Sequence, residues 1–188
     1  TIDAGPLQDF YRGEKAKYKC SLNDVVVLGV GRAIMEFDAF RTRLEGDELV
    51  TYPTANVGLA VGMEQGLVVP VVADVASRNL QQLAGETRRV VELARAGKIE
   101  GMGTGCFTIS NLGMFGVEEF AAIINPPEPG ILAVGGIREE VIVSGGTMRP
   151  GRVMTMTLSA DHRVADGLLA AKFLARLKDI LEWPQLMG

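Results

Sequence analysis

The sequence contains very little histidine and cysteine, which narrows the chemistry open to it. Its 188 residues include one histidine, His162, and two cysteines, Cys20 and Cys106. Two widely spaced cysteines do not form the pattern of a disulfide-rich secreted domain, so we expect a reducing compartment. No grouping of histidine and cysteine has the spacing of a zinc site, so no metal is expected.

Nucleic-acid binding and membrane insertion are not expected either. The net charge is −4 and residues of both signs are interspersed, whereas a nucleic-acid surface requires a basic face. No apolar run approaches the length of a membrane span, and the first residues lack the layout of a signal peptide. The chain begins directly with strand-like residues, Thr1 to Ala4, so we expect that a preceding segment is missing.

Length and periodicity predict a single α+β domain built on a mixed sheet. Residues 6–20 favour a loop or a short helix, and the Ser21 segment resembles a capping box that begins a buried helix. Short apolar runs over residues 49–72 predict a hairpin with its turn at residues 64–66. A helix capped at Ser77 or Asn79, four strand-like runs and a final helix from Asp166 to about Leu181 follow without regular βαβ alternation.

His162 is the first candidate for catalysis. It lies in LSADHRVADG, residues 158–167, between a predicted strand and the helix that Asp166 begins. Reactive side chains gather at such turns because the flanking elements hold them rigid, and an imidazole can take and return a proton near neutral pH. A purely structural histidine followed by an ordinary helix N-cap explains this segment as well.

The second candidate segment is FTISNLGMFG, residues 107–116. Ser110 and Asn111 stand at a predicted strand end, and Met114 and Phe115 lie between two glycines. A hydroxyl in this place can donate a hydrogen bond to a developing oxyanion. Serine and asparagine also simply favour turns, and that interpretation is the stronger one from this segment alone. The chain lacks a complete dinucleotide fingerprint, a phosphate-binding loop and a nucleophile elbow.

Taken together, the two segments resemble the acyltransferases of 2-oxo acid dehydrogenase complexes. DHRVADG matches that family's His-x-x-x-Asp-Gly pattern, and FTISNLGMFG followed by FAAIINPP and ILAVG matches its other strong motif. NVGLAVGMEQGLVVPVV resembles the family's central hairpin and SLNDVV its buried helix. The similarity covers nearly all of residues 21–184, in the family's order.

The resemblance implies a fold like chloramphenicol acetyltransferase and a homotrimer whose active sites lie between subunits. His162 of one subunit would be the general base, and Ser110 of its neighbour would stabilise the oxyanion. Asp166 would orient the turn by capping the helix and by pairing with a cation. Coenzyme A and a lipoyl arm would enter from opposite ends, with Asn111, Met114 and Phe115 expected to contact the cofactor.

The resemblance also implies the setting of the chain. Residues 1–188 would form the catalytic domain, without the family's N-terminal helix, lipoyl domain and partner-binding domain. Partners would be a lipoyl domain and the dehydrogenase components, in the bacterial cytoplasm or the mitochondrial matrix. Two departures are the pair Leu28-Gly29, where Lys-Ala is usual, and the ending PQLMG, which leaves assembly of trimers into a larger cage open.

The sequence alone leaves three questions of function open. The TISNLGMFG stretch is most similar to acetyltransferases of pyruvate dehydrogenase complexes, whereas succinyl-transferring relatives more often have threonine at the serine position. A non-catalytic core component is an alternative, although such proteins tend to lose the histidine. An acetyltransferase for a small hydroxylated molecule is another, but that class usually has paired histidines and Asp161 stands at the first position here.

Overall fold

The fold consists of a mixed sheet with helices packed on one face. The computed structural model describes residues 1–64 and 66–188. Its strands, in chain order, are Ile2–Asp3 (β1), Thr42–Glu45 (β2), Glu48–Thr51 (β3), Val57–Leu59 (β4), Val61–Met63 (β5), Gly66–Val68 (β6), Val71–Val72 (β7), Phe107–Asn111 (β8), Gly130–Ser144 (β9) and Thr147–Ala160 (β10). Its α-helices are Gly5–Lys15 (α1), Leu22–Glu36 (α2), Leu80–Arg95 (α3) and Gly167–Glu182 (α4).

Six of these strands form the main sheet, in the order β1-β10-β9-β8-β4-β7. Strand β8 runs parallel to both of its neighbours, β4 and β9. The remaining pairs are antiparallel. The pairs β2–β3 and β5–β6 form two small separate sheets. The predicted α+β architecture with a mixed sheet is confirmed.

Local sequence signals place the helices as expected. Ser21 caps α2 in a capping box with Asp24, and Asn79 caps α3 in the same way with Gln82. Residues 5–15 are helical, which resolves the choice between loop and short helix. Gly97, just beyond α3, has a φ of +81°, the left-handed conformation of a helix-terminating glycine.

The central hairpin is present but divided. Strand β4 pairs with β7, and β5 pairs with β6 one step further along the same two segments. The turn expected at residues 64–66 includes Gln65, which lies outside the described residues. Strand β3 pairs with β2 rather than joining this hairpin.

Helix α2 crosses the core, and its composition explains the departure from Lys-Ala at positions 28 and 29. Leu28 is buried, with only 1% of its surface exposed. A Cβ atom added to Gly29 would lie 2.9 Å from Leu181 at the end of α4. Leu28 is therefore a core residue, and glycine at position 29 leaves the space that the end of α4 occupies.

The two faces of the sheet are covered differently. Phe40, Phe107 and Phe173 form an aromatic cluster on the helical face, with centroids 4.3–5.9 Å apart. On the opposite face, irregular chain before β9 covers the strands: the Ser159 hydroxyl donates to the Ala122 carbonyl at 2.7 Å. Among the described residues, no helix has the length and apolar character needed to cross a membrane.

Candidate active site

The turn that carries His162 is fixed at both of its ends. After β10, the Asp161 amide donates to the Pro129 carbonyl at 2.8 Å, which extends the pairing beyond the strand. The Asp161 carboxylate pairs with Arg163 at 2.6 Å, and this hydrogen bonding lowers the pKa of Asp161. His162 lies between these two residues with an exposed side chain. The imidazole therefore projects from a restrained turn.

Asp166 closes the same turn as the N-cap of α4. Its carboxylate accepts a hydrogen bond from the Leu169 amide at 2.8 Å. The expected pairing with a cation is not found among the ion pairs of residues 1–64 and 66–188, because Arg163, the cation of this turn, pairs with Asp161. Gly167 has open space where a side chain would begin. Capping, rather than charge pairing, is what Asp166 does within one chain.

Ser110 occupies the end of β8, on the face of the sheet away from the helices. Side chains alternate along a strand, and Phe107 and Ile109 lie in the helical core. Thr108 and Ser110 therefore point to the opposite face. Ser110 pairs with Ala133 of β9 and is half-buried. Its hydroxyl is thus held at a strand end without being enclosed by its own subunit.

The turn after Ser110 is packed tightly against β9. The Leu112 amide donates to the Val134 carbonyl at 3.1 Å, and a Cβ atom at Gly113 would lie 2.8 Å from the Gly135 carbonyl oxygen. Met114 and Phe115 follow with 82% and 73% of their surfaces exposed. The turn therefore presents two large apolar side chains next to the serine.

Within one chain, Ser110 and His162 are far apart. Ser110 is level with Ala133 of β9 and Thr157 of β10, while Asp161 lies beyond the last pair of the ladder, Ala160 with Gly130. Ser110 and Asp161 are two strand spacings apart across the sheet and four residues apart along the strand direction. Their Cα atoms therefore lie about 16 Å apart. The structure therefore places His162 and Asp166 in one turn, and Ser110, Asn111, Met114 and Phe115 in one strand end and its following turn, but it does not join the two groups in one subunit.

Neither cysteine is suited to act as a nucleophile. Both are free and buried. Burial raises the pKa of Cys106 to about 11 and also raises the pKa of Cys20. Since the thiolate is the reactive form, both thiols stay protonated and unreactive near neutral pH.

Two residues near the site were missed by sequence reasoning. The side-chain oxygen of Asn23 accepts a hydrogen bond from the side-chain nitrogen of Asn111 at 2.9 Å. Glu128 is only 3% exposed and accepts a hydrogen bond from the Thr108 hydroxyl, two residues before Ser110. Asn23 belongs to the SLND segment, whose pattern indicated helix capping, and Glu128 lies just before β9, so neither had a local signal of its contact.

Comparison with known proteins assigns the chain to a family. The model of the 2-oxoacid dehydrogenases acyltransferase catalytic domain matches residues 3–188, and the chain belongs to this family. A relative from Rickettsia bellii, a dihydrolipoyllysine-residue acetyltransferase component of pyruvate dehydrogenase complex, is 38% identical over 93% of this chain. The mitochondrial pyruvate dehydrogenase protein X component of Mus musculus is 34% identical over 93% of the chain. The chain spans 42% and 36% of the lengths of these two relatives.

Solved structures agree with this assignment. The cubic core of a pyruvate dehydrogenase multienzyme complex has a TM-score of 0.93 and 32% identity, over 99% of this chain and 80% of that one. The Azotobacter vinelandii dihydrolipoamide acetyltransferase has a TM-score of 0.93 and 31% identity, with the same coverage. A chloramphenicol acetyltransferase is similar in fold, with a TM-score of 0.62 at 18% identity over 96% of this chain and 85% of that chain. The expected likeness to the chloramphenicol acetyltransferase fold is thereby confirmed.

Proposed function

We propose that this chain transfers an acetyl group between dihydrolipoamide and coenzyme A, with His162 as the general base. The observation that carries the proposal is the placement of the chain's one histidine. It is exposed on a restrained turn between β10 and α4, where its imidazole is available to a substrate from outside the subunit. Membership of the acyltransferase family supplies the reaction class.

In the proposed reaction the acyl group passes directly from one thiol to the other. His162 removes the proton from the attacking thiol, and the resulting thiolate attacks the thioester carbonyl carbon. The tetrahedral intermediate then expels the other sulfur, which takes the proton back from the imidazolium. No acyl-enzyme is required, and this agrees with two cysteines that burial keeps protonated.

Ser110 is proposed as the hydrogen-bond donor to the oxyanion. Its hydroxyl stands at the end of β8, half-buried and turned away from the helical core. A donor fixed in advance at the position where negative charge develops stabilises the transition state more than the ground state. Met114 and Phe115, exposed beside it, are proposed to provide apolar contacts for coenzyme A.

A spacing match supports these roles. Catalytic roles of a serine, a histidine and an asparagine were investigated in the Azotobacter vinelandii acetyltransferase, where the histidine follows the serine by 52 positions and the asparagine follows the histidine by four. Ser110, His162 and Asp166 have the same spacing. Aspartate and asparagine both cap helices well, so the third position is proposed to orient the histidine turn rather than to transfer a proton.

We further infer that each active site is shared between subunits of a homotrimer. The separation of about 16 Å between the Ser110 strand end and the His162 turn, set by the strand spacing and rise, is too large for both to act on one carbonyl group. Two copies that face each other can bring one His162 to the other copy's Ser110. The similarity to a cubic core leaves a larger cage as a further possibility for the assembly.

The rest of the proposal concerns partners and setting. Residues 1–188 form the catalytic domain, the second substrate is a lipoyl group carried on a separate domain, and the dehydrogenase components of the complex are the other partners. Support comes from relatives that are components of pyruvate dehydrogenase complexes. Since these relatives are bacterial and mitochondrial, the proposed compartment is the bacterial cytoplasm or the mitochondrial matrix.

The experiment is an acyl-transfer assay with free dihydrolipoamide and acetyl, succinyl and branched acyl-coenzyme A donors. Acetyl transfer should be fastest. His162→Ala should lower turnover at least about a hundredfold, the usual contribution of a general base. Ser110→Ala should cost roughly 2–4 kcal/mol of transition-state stabilisation. Ser77→Ala, at an exposed serine outside the site, is the control and should behave like the wild type.

The same assay separates the alternatives. A chain that binds coenzyme A but transfers nothing would be a non-catalytic core component. Faster transfer to a hydroxyl acceptor than to dihydrolipoamide would instead indicate an acetyltransferase for a small hydroxylated molecule. Wild-type turnover in His162→Ala would remove the histidine from the mechanism.

A further inference from the structure

Asn23 links the first turn of α2 to the strand end beside Ser110. Its side-chain oxygen accepts a hydrogen bond from the amide nitrogen of Asn111 at 2.9 Å, across 88 positions of sequence. The oxygen of the same Asn111 side chain accepts from the Gly113 amide at 2.9 Å. Both ends of the Asn111 side chain are therefore engaged inside the chain, on the face of β8 that looks toward the helices.

The backbone around Ser110 is held on either side of this link. The Ile109 carbonyl accepts a hydrogen bond from the Ala60 amide at 2.9 Å, and the Leu112 amide donates to Val134. Ser110 and Asn111 are the two strand-end residues that lie between these hydrogen bonds. Because successive side chains point to opposite faces, fixing the Asn111 side chain toward α2 also fixes the direction in which the Ser110 hydroxyl leaves the sheet.

The anchor on α2 is itself rigid. Ser21 and Asp24 form a reciprocal capping box around the helix start, and the buried Asp24 carboxylate also accepts a hydrogen bond from the Thr87 hydroxyl of α3. Asn23 lies inside this capped turn. The backbone position of Asn23 is therefore fixed by the capping box of α2 and by the hydrogen bond between α2 and α3.

We propose that Asn23 is a positioning residue for the transfer reaction: through Asn111 it aims the Ser110 hydroxyl at the oxyanion. The proposal rests on the proposed function, since it deepens the account of the same site. In the proposed site Asn23 touches neither substrate, and its contribution passes entirely through the serine.

Substitution at this position should leave the fold intact. Asn23 is half-buried and borders a cavity of about 260 Å³ between α2 and α3, whose lining includes Cys20, Thr87 and Arg88. Truncation enlarges a space that already exists. Gln81, the second residue of α3 and also an amide side chain near a capped helix start, is exposed, so Gln81→Ala is a matched control for any general effect on a helix.

The test is a double-mutant cycle between Asn23→Ala and Ser110→Ala, with kcat and KM measured for acetyl transfer. Loss of one neutral hydrogen bond and of the alignment it provides should lower kcat about tenfold in Asn23→Ala, with KM for coenzyme A unchanged. In the Ser110→Ala background the same substitution should have no further effect, because the group it positions is absent. Asn23→Asp keeps the accepting oxygen and should recover most of the turnover.

A second variant guards against misfolding. Asn111→Asp keeps the acceptor for Gly113 but removes the donor to Asn23, so it should reproduce the fall in kcat and should not add to Asn23→Ala. Equal losses from Asn23→Ala in both serine backgrounds would overturn the positioning role, as would wild-type kcat in Asn23→Ala beside a slow Ser110→Ala. Wild-type turnover in Ser110→Ala would instead overturn the oxyanion role in the proposed function, and the positioning role with it.

Discussion

Subunits with complementary defects should restore activity when they are assembled together. In the proposed mechanism His162→Ala removes the general base and Ser110→Ala removes the oxyanion donor, so each homogeneous variant would have only damaged sites. If one active site combines His162 of one subunit with Ser110 of the next, a mixed assembly contains some sites in which both groups are intact. If both groups came from the same chain, no intact site could form in any mixture.

The size of the recovery follows from the geometry. In a closed ring of three subunits that contains both chains, about one interface in three joins an intact histidine to an intact serine. The His162→Ala protein alone should retain about one hundredth of wild-type turnover. The mixed assemblies should therefore reach about a third of the wild-type rate, roughly thirty times that of His162→Ala alone.

The assay requires assemblies that contain both chains. The two variants are expressed together with different affinity tags, purified over both resins in turn, and their ratio is determined by mass spectrometry before acetyl transfer is measured. The matched control replaces the Ser110→Ala chain with one that carries both substitutions. That mixture lacks an intact histidine everywhere and should stay at the level of His162→Ala.

A failure of mixed assemblies to recover activity would exclude the shared site. If verified mixed assemblies turn over no faster than the separate variants, then His162 and Ser110 do not meet across a subunit boundary. The strand register would then leave them too far apart to cooperate at all, and the shared site would have to be abandoned.

Three further substitutions test the supports of the site. Asp166→Ala should lower stability by about 1 kcal/mol through loss of the α4 cap and should also slow transfer, whereas Asp166→Asn should preserve both. Gly135→Ala should destabilise the fold by about 1–3 kcal/mol in urea unfolding, because the added Cβ overlaps the Glu118 backbone. Burial raises the pKa of Glu128, so the folded chain holds a proton that the unfolded chain releases, and stability falls as pH rises above the ordinary glutamate range. The stability of Glu128→Gln relative to the wild type should therefore increase as pH increases.

Each of these has a control or an opposite outcome. Gly85→Ala, in α3 with open space around it, should stabilise slightly where Gly135→Ala destabilises. Equal stability of Asp166→Ala and Asp166→Asn would show that the cap is unimportant. A stability advantage of Glu128→Gln that shrinks toward high pH would mean that the carboxylate is favoured in the folded chain.

The sequence predicted those features that depend on residues close together along the chain. Caps at Ser21, Asn79 and Asp166 follow local rules and were found as expected. The order of the sheet, with β8 between β9 and β4, was not predictable from such signals because strand pairing joins distant segments.

The candidate site was predictable only in part, for the same reason. Motifs pointed to His162 and Ser110, but only the register of β8, β9 and β10 shows that one chain keeps them apart. The contact between Asn23 and Asn111 depends on where α2 lies over the sheet. No periodicity or capping pattern contains that information.

The two halves of the proposed site are stabilised by different devices, and this has a consequence for catalysis. The His162 turn is restrained by hydrogen bonds local to the turn and by the cap of α4. The Ser110 strand end is braced by β9 and by α2. In the proposed attack of a substrate thiol on a thioester the protein supplies no nucleophile, so the chain would contribute proton removal, alignment and charge stabilisation. In the proposed shared site, a misplaced His162 turn is not compensated by the Ser110 strand end of the other subunit, or the reverse. Removing the hydrogen bonds that hold either one should therefore lower kcat before it measurably lowers the stability of the fold.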